Sequence, residues 1–506
     1  MDSINGQKTT KNYLVYMALV ISIIISANLS IILNIPYFRQ IIPFVLLTII
    51  PGLLLIQILK LNHIDSLEKI VLSVGLSLVF VTFVGMITNM FPYSRPLSLL
   101  NLLSVIDVFL IIFILLGYLI NRKPPFDISW NLSRFNSFEK IILTISILLP
   151  TLSIVGTYLV KIDSNYAYLY LMVFLIPILV IFMTLFNQRI NNNNVYPISI
   201  FTIGLSIILA YTFISNYIYG TDSHSEFYLF QMVVSHGKWQ LFQTIESLKP
   251  YDACITISVL PAIYEILTKF NDLNTLFKLT FVIPFALTPL IVYQISKRYH
   301  NAIYSFLAAI FIISAVSFYS QTEAYRTYMA VFFFALAIMV FLSPNMNDIV
   351  KKLLFIIFTI ALIVSHYSSG YVYFFMLVSS IIFMYSLNFI IKNKNGKSIR
   401  INPFLTIGLL FLSFSVMFLW YSQITGASFD NGINFLGKTL GKFNPSVSRK
   451  APRVIVYDGE SKLKTKSDVI GDKGYAVNYL FLLKKRRPFR AFFVRIKRSY
   501  NLSSFR

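Results

Sequence analysis

Long apolar runs recur along most of this chain, and they constrain its fold more than any other feature. Hydrophobic residues make up 57% of the 506 residues, and charged residues make up only 12%. Apolar segments of about 18 residues or more are typical of membrane-spanning helices, which satisfy their backbone hydrogen bonds internally. We therefore predict an all-α, polytopic integral membrane protein with about thirteen transmembrane helices.

The predicted spans form two groups, separated by a long loop at 217–275. The spans before the loop lie near 13–33, 41–59, 70–90, 99–120, 141–160, 168–186 and 197–215. The spans after it lie near 276–295, 303–318, 328–342, 353–364, 371–391 and 404–421. Within the loop, the segment 255–267 is short and contains Pro261 and Glu265. We interpret it as an interfacial or re-entrant helix rather than a span.

Basic residues predict the orientation in the membrane. With the N-terminus inside, most Lys and Arg residues of the connecting loops fall on the cytoplasmic side, including Lys297, Lys351 and Lys392. This is the positive-inside pattern, and it places the C-terminus outside. The first span lacks an Ala-x-Ala cleavage site, so we predict a retained anchor and a multi-pass protein of the cell membrane.

Three polar clusters stand out in a chain that has only 20 Asp and Glu residues. They occupy 220–228, 321–326 and 365–371, each next to a predicted span. The predicted topology places all three on the outer face, where residues distant in sequence can meet. A shared site is one interpretation, and ordinary solvated loops are the other.

The first cluster contains the strongest catalytic candidates. If it is helical, Asp222 and Glu226 lie four residues apart on one face, close enough to bind one metal ion or to divide base and positioning roles. His224 then points elsewhere and is a secondary candidate. A divalent cation such as Mg²⁺ or Mn²⁺ is possible at these carboxylates, and the sequence leaves its presence open.

The other two clusters supply candidate partners. Arg326 is a candidate phosphate ligand, because a guanidinium binds phosphate oxygens bidentately. Glu323 lies three residues earlier, and a local ion pair with Arg326 is the favoured interpretation for it. His366 and Tyr367 lie where two helices meet, so a capping or interfacial role competes with a role in phosphate binding or proton transfer.

This order of helices, acidic loop and helix pairs resembles the class C glycosyltransferases, which are polytopic enzymes that use polyprenyl-phosphate-linked sugars. The stretch 219–239 is also similar to an archaeal multi-spanning membrane family of unknown function. The resemblance implies a donor phosphate near Arg326 and His366, with Asp222 as general base. It implies that Glu226 orients the acceptor or holds a cation, and that the sugar's anomeric configuration is inverted.

Other functions remain open at this stage. A transporter or flippase for lipid-linked glycans would bind the same substrates but would use polar residues near the bilayer midplane. An inactive, truncated membrane scaffold is a third possibility. Expected partners are membrane lipids, a polyprenyl-phosphate sugar and a glycan, lipid or protein acceptor, with no nucleic acid.

The sequence predicts three regions. Residues 1–190 form an N-terminal membrane module of about six helices, in which Asp107 is either functional or hydrogen-bonded for structure. Residues 191–421 form a glycosyltransferase-like module. The tail at 422–506 carries 18 basic and 5 acidic residues, so it is either an amphipathic helix on anionic lipids or poorly ordered.

Overall fold

The computed structural model describes residues 2–126, 135–241, 248–395, 407–426 and 437, and the short stretches 456–457 and 463–464. Seventeen α-helices lie within these residues. They are α1 (Asp2–Ile32), α2 (Phe38–Ile58), α3 (Ser66–Asn89), α4 (Leu99–Ile120), α5 (Ser137–Asp163), α6 (Ala167–Leu185), α7 (Val195–Phe213), α8 (Thr221–His236), α9 (Lys249–Asp252), α10 (Ile255–Thr268), α11 (Leu273–Ser296), α12 (Ala302–Ser314), α13 (Val316–Tyr319), α14 (Tyr325–Phe341), α15 (Asp348–Ser365), α16 (Tyr367–Asn395) and α17 (Ile407–Phe418).

The helices confirm the predicted class of an all-helical, multi-pass membrane protein. Ten of the described helices are long and apolar enough to cross a membrane. An eleventh span is possible if α12 and the segment Val316–Glu323, which meet at 69°, cross together. The count is below the predicted thirteen partly because α14 has 17 residues, or about 26 Å at 1.5 Å per residue, against a hydrocarbon core of about 30 Å. The orientation stays a prediction.

The short helix α10 is not among the described helices able to span a membrane, as predicted, and it is buried inside the protein rather than lying on its surface. Every side chain from Ile255 to Tyr264 is buried, since α2, α3, α8 and α11 surround the helix. A helix that is buried on all sides belongs to the core of the protein. At its C-terminal end, the buried Arg39 donates hydrogen bonds to the carbonyls of Ile266 and Leu267, which satisfies orphan acceptors of the last turn.

Polar contacts join the helices of the N-terminal region to the rest. The hydroxyl of Ser146 on α5 meets that of Ser199 on α7 at 2.9 Å, and such small residues allow close helix packing. Asn28 on α1 donates to Asp107 on α4 at 2.8 Å, so Asp107 has a structural partner. Residues 1–434 form one compact unit, which includes both predicted membrane modules. Their functional division stays a prediction.

The second compact unit comprises residues 435–506. Its described part contains a two-residue antiparallel pair, β1 (Val456–Tyr457) with β2 (Leu463–Lys464). Most of the basic tail, for which the sequence predicts either an amphipathic helix on anionic lipids or poor order, lies outside the described residues.

Candidate functional site

Helix α8 positions the predicted acidic pair. Asp222 lies in its first turn and Glu226 one turn later, so the prediction of a shared helix face is confirmed. A negative charge in the first turn is stabilised by the helix dipole. Gly220 precedes the helix with φ of 104°, a backbone conformation that side chains other than glycine rarely adopt. The chain therefore enters α8 through a turn that requires glycine.

Gly220→Ala is expected to destabilise the protein by about 2–4 kcal/mol. The added Cβ would lie 2.8 Å from the Cα atom of Glu323, so backbone strain and a steric clash act together. Thermal unfolding of the purified protein measures the effect. Gly426→Ala is the matched control, because its φ of 64° carries the strain while nothing described lies within 4 Å of the new atom. An equal loss of stability from the two substitutions would contradict the steric clash at Gly220.

Arg326, at the start of α14, joins the first two polar clusters. Its Nη2 atom lies 3.0 Å from Oδ2 of Asp222, and its Nη1 atom lies 3.5 Å from Oε1 of Glu226. The guanidinium carbon is 3.8 Å from the ring centroid of Tyr251, a cation–π contact. The Tyr251 hydroxyl donates to Oδ1 of Asp222 at 2.9 Å. One tyrosine thus contacts both charges of the ion pair.

The two carboxylates have different surroundings. The side chain of Asp222 is 44% exposed, whereas that of Glu226 is fully buried. Glu226 accepts the backbone N–H groups of Tyr325 and Arg326 at 2.9 and 3.3 Å, so it caps α14 from another helix. Burial raises the pKa of Glu226 to about 7, while Arg326 and these N–H groups oppose the rise. Glu226 holds Arg326 in place, and Asp222 is the accessible acid.

Arg326 has unused hydrogen-bonding capacity. Its side chain is only 7% exposed. Among the residues that the structure describes, Nε and Nη1 have no hydrogen-bond partner. Buried donors without partners are costly and uncommon in proteins. An arginine in this state is a candidate anion site, because a bound oxyanion would satisfy it.

Glu323 does not form the predicted local ion pair. Its carboxylate accepts a hydrogen bond from the hydroxyl of Tyr211 on α7. Arg326 points instead toward α8, since Ala324 breaks the helical path between them with φ of −155°. Glu323 therefore anchors the short 3₁₀ helix Ser320–Glu323 to α7.

His366 lies at the junction of α15 and α16, beside the same site. Its Nδ1 atom is 2.8 Å from the Ser369 hydroxyl, and its ring packs against the ring of Tyr367 at 5.2 Å. Burial, with a smaller contribution from the positive charge of Arg326, lowers the pKa of His366 to about 3. The imidazole is therefore neutral at physiological pH and acts as a hydrogen-bonding group rather than a cation.

Acidification is expected to destabilise the protein through His366. The ordinary histidine pKa is 6.5, so below that pH the unfolded chain binds a proton that the folded protein rejects. Stability is full above pH 6.5 and falls as the pH drops toward 3, by about 2 kcal/mol between pH 6.5 and 5. Thermal unfolding of the native protein and of His366→Gln at both pH values measures this loss of stability. Glu226 acts in the opposite direction, because its raised pKa makes the folded protein hold a proton more firmly.

The comparison with His366→Gln isolates the contribution of His366 to the pH dependence of stability, because all other titrating groups are the same in the two proteins. The native protein is expected to lose more stability than the variant on acidification. The same pH dependence in both proteins would contradict a buried, neutral His366.

The surroundings of the acidic pair do not fit the divalent cation that the sequence leaves open. Arg326 lies between the two carboxylates, and both oxygens of Glu226 accept backbone N–H groups. Within the described ranges, no three His, Cys, Asp or Glu residues cluster in a way that could hold a metal ion. The arginine supplies the positive charge that a metal would otherwise provide.

Sequence reasoning missed Tyr251, and nothing in its local sequence signals its role. His224, the secondary candidate, is exposed on α8 and points away from the buried pair. Cys254 is buried at the start of α10 near Arg326 and Glu226, and burial raises the pKa of its thiol to about 12. A cysteine in this state is an inert thiol rather than a nucleophile.

An apolar cavity lies close to these charges. Its volume is about 270 Å³, and it lies between α14, α15 and α16. Ala330 follows Arg326 by one helical turn, and Ser369 is the residue that contacts His366. The cavity is lined by Ala330, Val331, Phe334, Leu362, Ser368, Ser369, Val372, Tyr373 and Met376.

Comparison with known proteins supports the membrane assignment and no more. Residues 351–460 match the model of a family described as predicted membrane protein (DUF2206). The match includes His366 but neither Asp222 nor Arg326, and no class C glycosyltransferase family matches. No curated protein and no solved structure matches the chain.

Proposed function

We propose that this protein is a membrane glycosyltransferase that moves a sugar from a polyprenyl-phosphate donor to an acceptor. The observation that carries the proposal is the buried guanidinium of Arg326. Its Nε atom has no hydrogen-bond partner in the described part of the chain, its Nη1 atom has only the 3.5 Å ion-pair contact with Glu226, and its Nη2 atom lies 3.0 Å from an accessible carboxylate. A cation that binds a phosphate beside a base is the combination that this reaction needs.

Arg326 would bind the donor phosphate and stabilise it as it leaves. Negative charge develops on the phosphate oxygen as its bond to the anomeric carbon breaks. Arg326 is held by Glu226 and stacked on Tyr251, so its guanidinium is positioned before the substrate arrives. Preorganised charge of this kind makes the largest single contribution to the rate enhancement in many enzymes.

Asp222 would act as the general base. The acceptor hydroxyl attacks the anomeric carbon, its proton passes to Asp222, and the phosphate leaves with the electrons of the broken C–O bond. A single displacement inverts the configuration at that carbon and needs no covalent enzyme intermediate. Neutral His366, close to Arg326, would donate a hydrogen bond to the phosphate rather than a charge.

The apolar cavity supports a lipid-linked donor over a water-soluble one. It begins one turn of α14 beyond Arg326, a separation of about 6 Å along the helix. At about 270 Å³ it is smaller than most complete ligand pockets, which measure about 300–1,000 Å³. It would therefore hold the first part of a hydrocarbon chain while the phosphate reaches Arg326.

The position of the acids favours an enzyme over a transporter. Transporter sites lie near the bilayer midplane, commonly at interrupted spans. Asp222 and Glu226 are instead on α8, which is not among the helices able to span a membrane, and Arg326 is at the first turn of its helix. The site therefore belongs to helix ends and connecting segments.

A reconstituted transfer assay tests the proposal. Purified protein in liposomes is supplied with a radiolabelled polyprenyl-phosphate sugar and, separately, with the corresponding nucleotide sugar, and total membrane lipids and glycans serve as acceptors. We expect label to move to an acceptor only from the lipid-linked donor. Movement of intact labelled lipid between leaflets without transfer would instead favour a flippase, and neither activity would favour an inactive scaffold. Either result would contradict the proposal.

A further inference from the structure

We infer that the donor phosphate displaces Asp222 from Arg326, so that the base becomes free only when the donor is bound. This inference rests on the proposed function for the identity of the donor. Its physical content is narrower, because it concerns a competition between two anions for one guanidinium. Asp222 occupies the phosphate site in the absence of substrate.

The geometry of the guanidinium defines the competition. Nε and Nη2 form one edge of the planar fork, and bidentate oxyanions bind along such an edge. Nη2 donates a hydrogen bond to Oδ2 of Asp222 at 3.0 Å, while Nε has no hydrogen-bond partner in the described part of the chain. Asp222 therefore lies beside an edge whose Nε donor is unused. A phosphate that binds both Nε and Nη2 brings its negative charge against Oδ2 of Asp222, so the two anions compete for Nη2.

Other approaches to Arg326 are restricted. The ring of Tyr251 covers one face of the guanidinium, with its centroid 3.8 Å from Cζ. The Nη1 side faces Glu226, which is completely buried. Asp222 is the accessible member of the cluster, with 44% of its side chain exposed. An incoming anion therefore reaches Arg326 at the position of Asp222.

Asp222 is also the partner that can leave. Glu226 accepts two backbone N–H groups and has no exposed surface, so moving it would uncap α14. The side chain of Asp222 has two recorded partners, Arg326 and the hydroxyl of Tyr251. If it turns away from Arg326, it can keep the Tyr251 hydrogen bond and its exposed oxygen can meet an acceptor hydroxyl.

The exchange explains how a base and a cation can share a site without neutralising each other permanently. A carboxylate oxygen that leaves a guanidinium is free to accept a hydrogen bond from an acceptor hydroxyl. The phosphate that replaces it receives that charge. Acceptor activation is thereby coupled to donor binding.

The test is a binding measurement with farnesyl phosphate, a short prenyl monophosphate, on the purified full-length protein. Asp222→Asn removes the competing charge but keeps an oxygen that can accept from Tyr251. We expect this variant to bind farnesyl phosphate about tenfold more tightly than the native protein. Arg326→Gln should abolish binding, and adding it to Asp222→Asn should abolish the gain.

Several controls keep the result interpretable. Farnesol, which lacks the phosphate, should bind the native protein and Asp222→Asn equally, and Tyr228→Phe at an exposed position of α8 should behave as the native protein does. Asp222→Ser should reproduce the gain if Asp222→Asn folds poorly. Unchanged or weaker binding by the folded Asp222 variants, or no binding by any protein, would overturn the exchange.

The exchange and the proposed function fail separately. A tenfold gain without sugar transfer by the native protein would support anion exchange and contradict the glycosyltransferase. Asp222-dependent transfer without a gain in affinity would support the glycosyltransferase and contradict the exchange.

Discussion

Arg326→Met is expected to destabilise the protein by about 3–5 kcal/mol at pH 8. Methionine is similar in length to arginine but has no charge, so the substitution leaves Glu226 fully buried without its cation. Removing one partner of a buried ion pair costs about this much. Burial raises the pKa of Glu226 to about 7 even beside Arg326, and loss of the cation raises it further, so at pH 5.5 a proton neutralises the carboxyl and the cost is expected to be smaller. Thermal or denaturant unfolding of purified protein at the two pH values measures both effects.

Lys297→Met is the matched control for this prediction. Lys297 pairs with Asp65 at 3.1 Å, but its side chain is 35% exposed and that of its partner 38%. Exposed pairs contribute about 0–1 kcal/mol, so its loss should have little effect. Similar losses from both substitutions, or a loss from Arg326→Met that is independent of pH, would contradict a buried ion pair at Glu226.

Asp222→Asn is expected to lower the rate of sugar transfer by about 10²–10⁴-fold, the usual contribution of a general base. The amide is similar in shape to the carboxylate and can still accept from Tyr251, so the fold should be retained. The rate is measured in liposomes at saturating donor, so that a change in donor affinity does not conceal the chemical step. Thermal unfolding of the same sample verifies folding.

The control for this substitution is Tyr228→Phe, which alters an exposed side chain on the same helix. It is expected to retain the native rate. Transfer by Asp222→Asn at the native rate would contradict its assignment as the base. A loss of transfer together with a loss of folding would instead assign a structural role to Asp222.

The sequence was sufficient to predict the fold class and the helix that carries the acids. Apolar runs report burial in lipid directly, and a spacing of four residues brings Asp222 and Glu226 to one helix face whatever the tertiary structure. The contact between Asp222 and Arg326 was predicted only as a consequence of topology. Their ion pair is formed across 104 residues of sequence, and only the three-dimensional packing could establish it.

Other features depend on tertiary contacts that no local pattern encodes. Glu226 was predicted to be catalytic, and its burial against the backbone of α14 could not be read from its neighbours in sequence. Tyr251 resembles many aromatic residues at membrane interfaces, of which the chain has a large number, until Arg326 is placed over its ring. The same limit applies to the burial of α10, since shortness and a proline are common to interfacial, re-entrant and buried helices.

The position of a bound phosphate decides whether Arg326 exchanges Asp222 for the donor. A structure of the protein with farnesyl phosphate, determined experimentally in a lipid nanodisc, would locate the phosphate and the side chain of Asp222 together. We expect phosphate oxygens at about 2.7–2.9 Å from Nε and Nη2 of Arg326, with Asp222 moved off the guanidinium. A phosphate bound elsewhere while the Asp222–Arg326 pair remains intact would contradict this exchange.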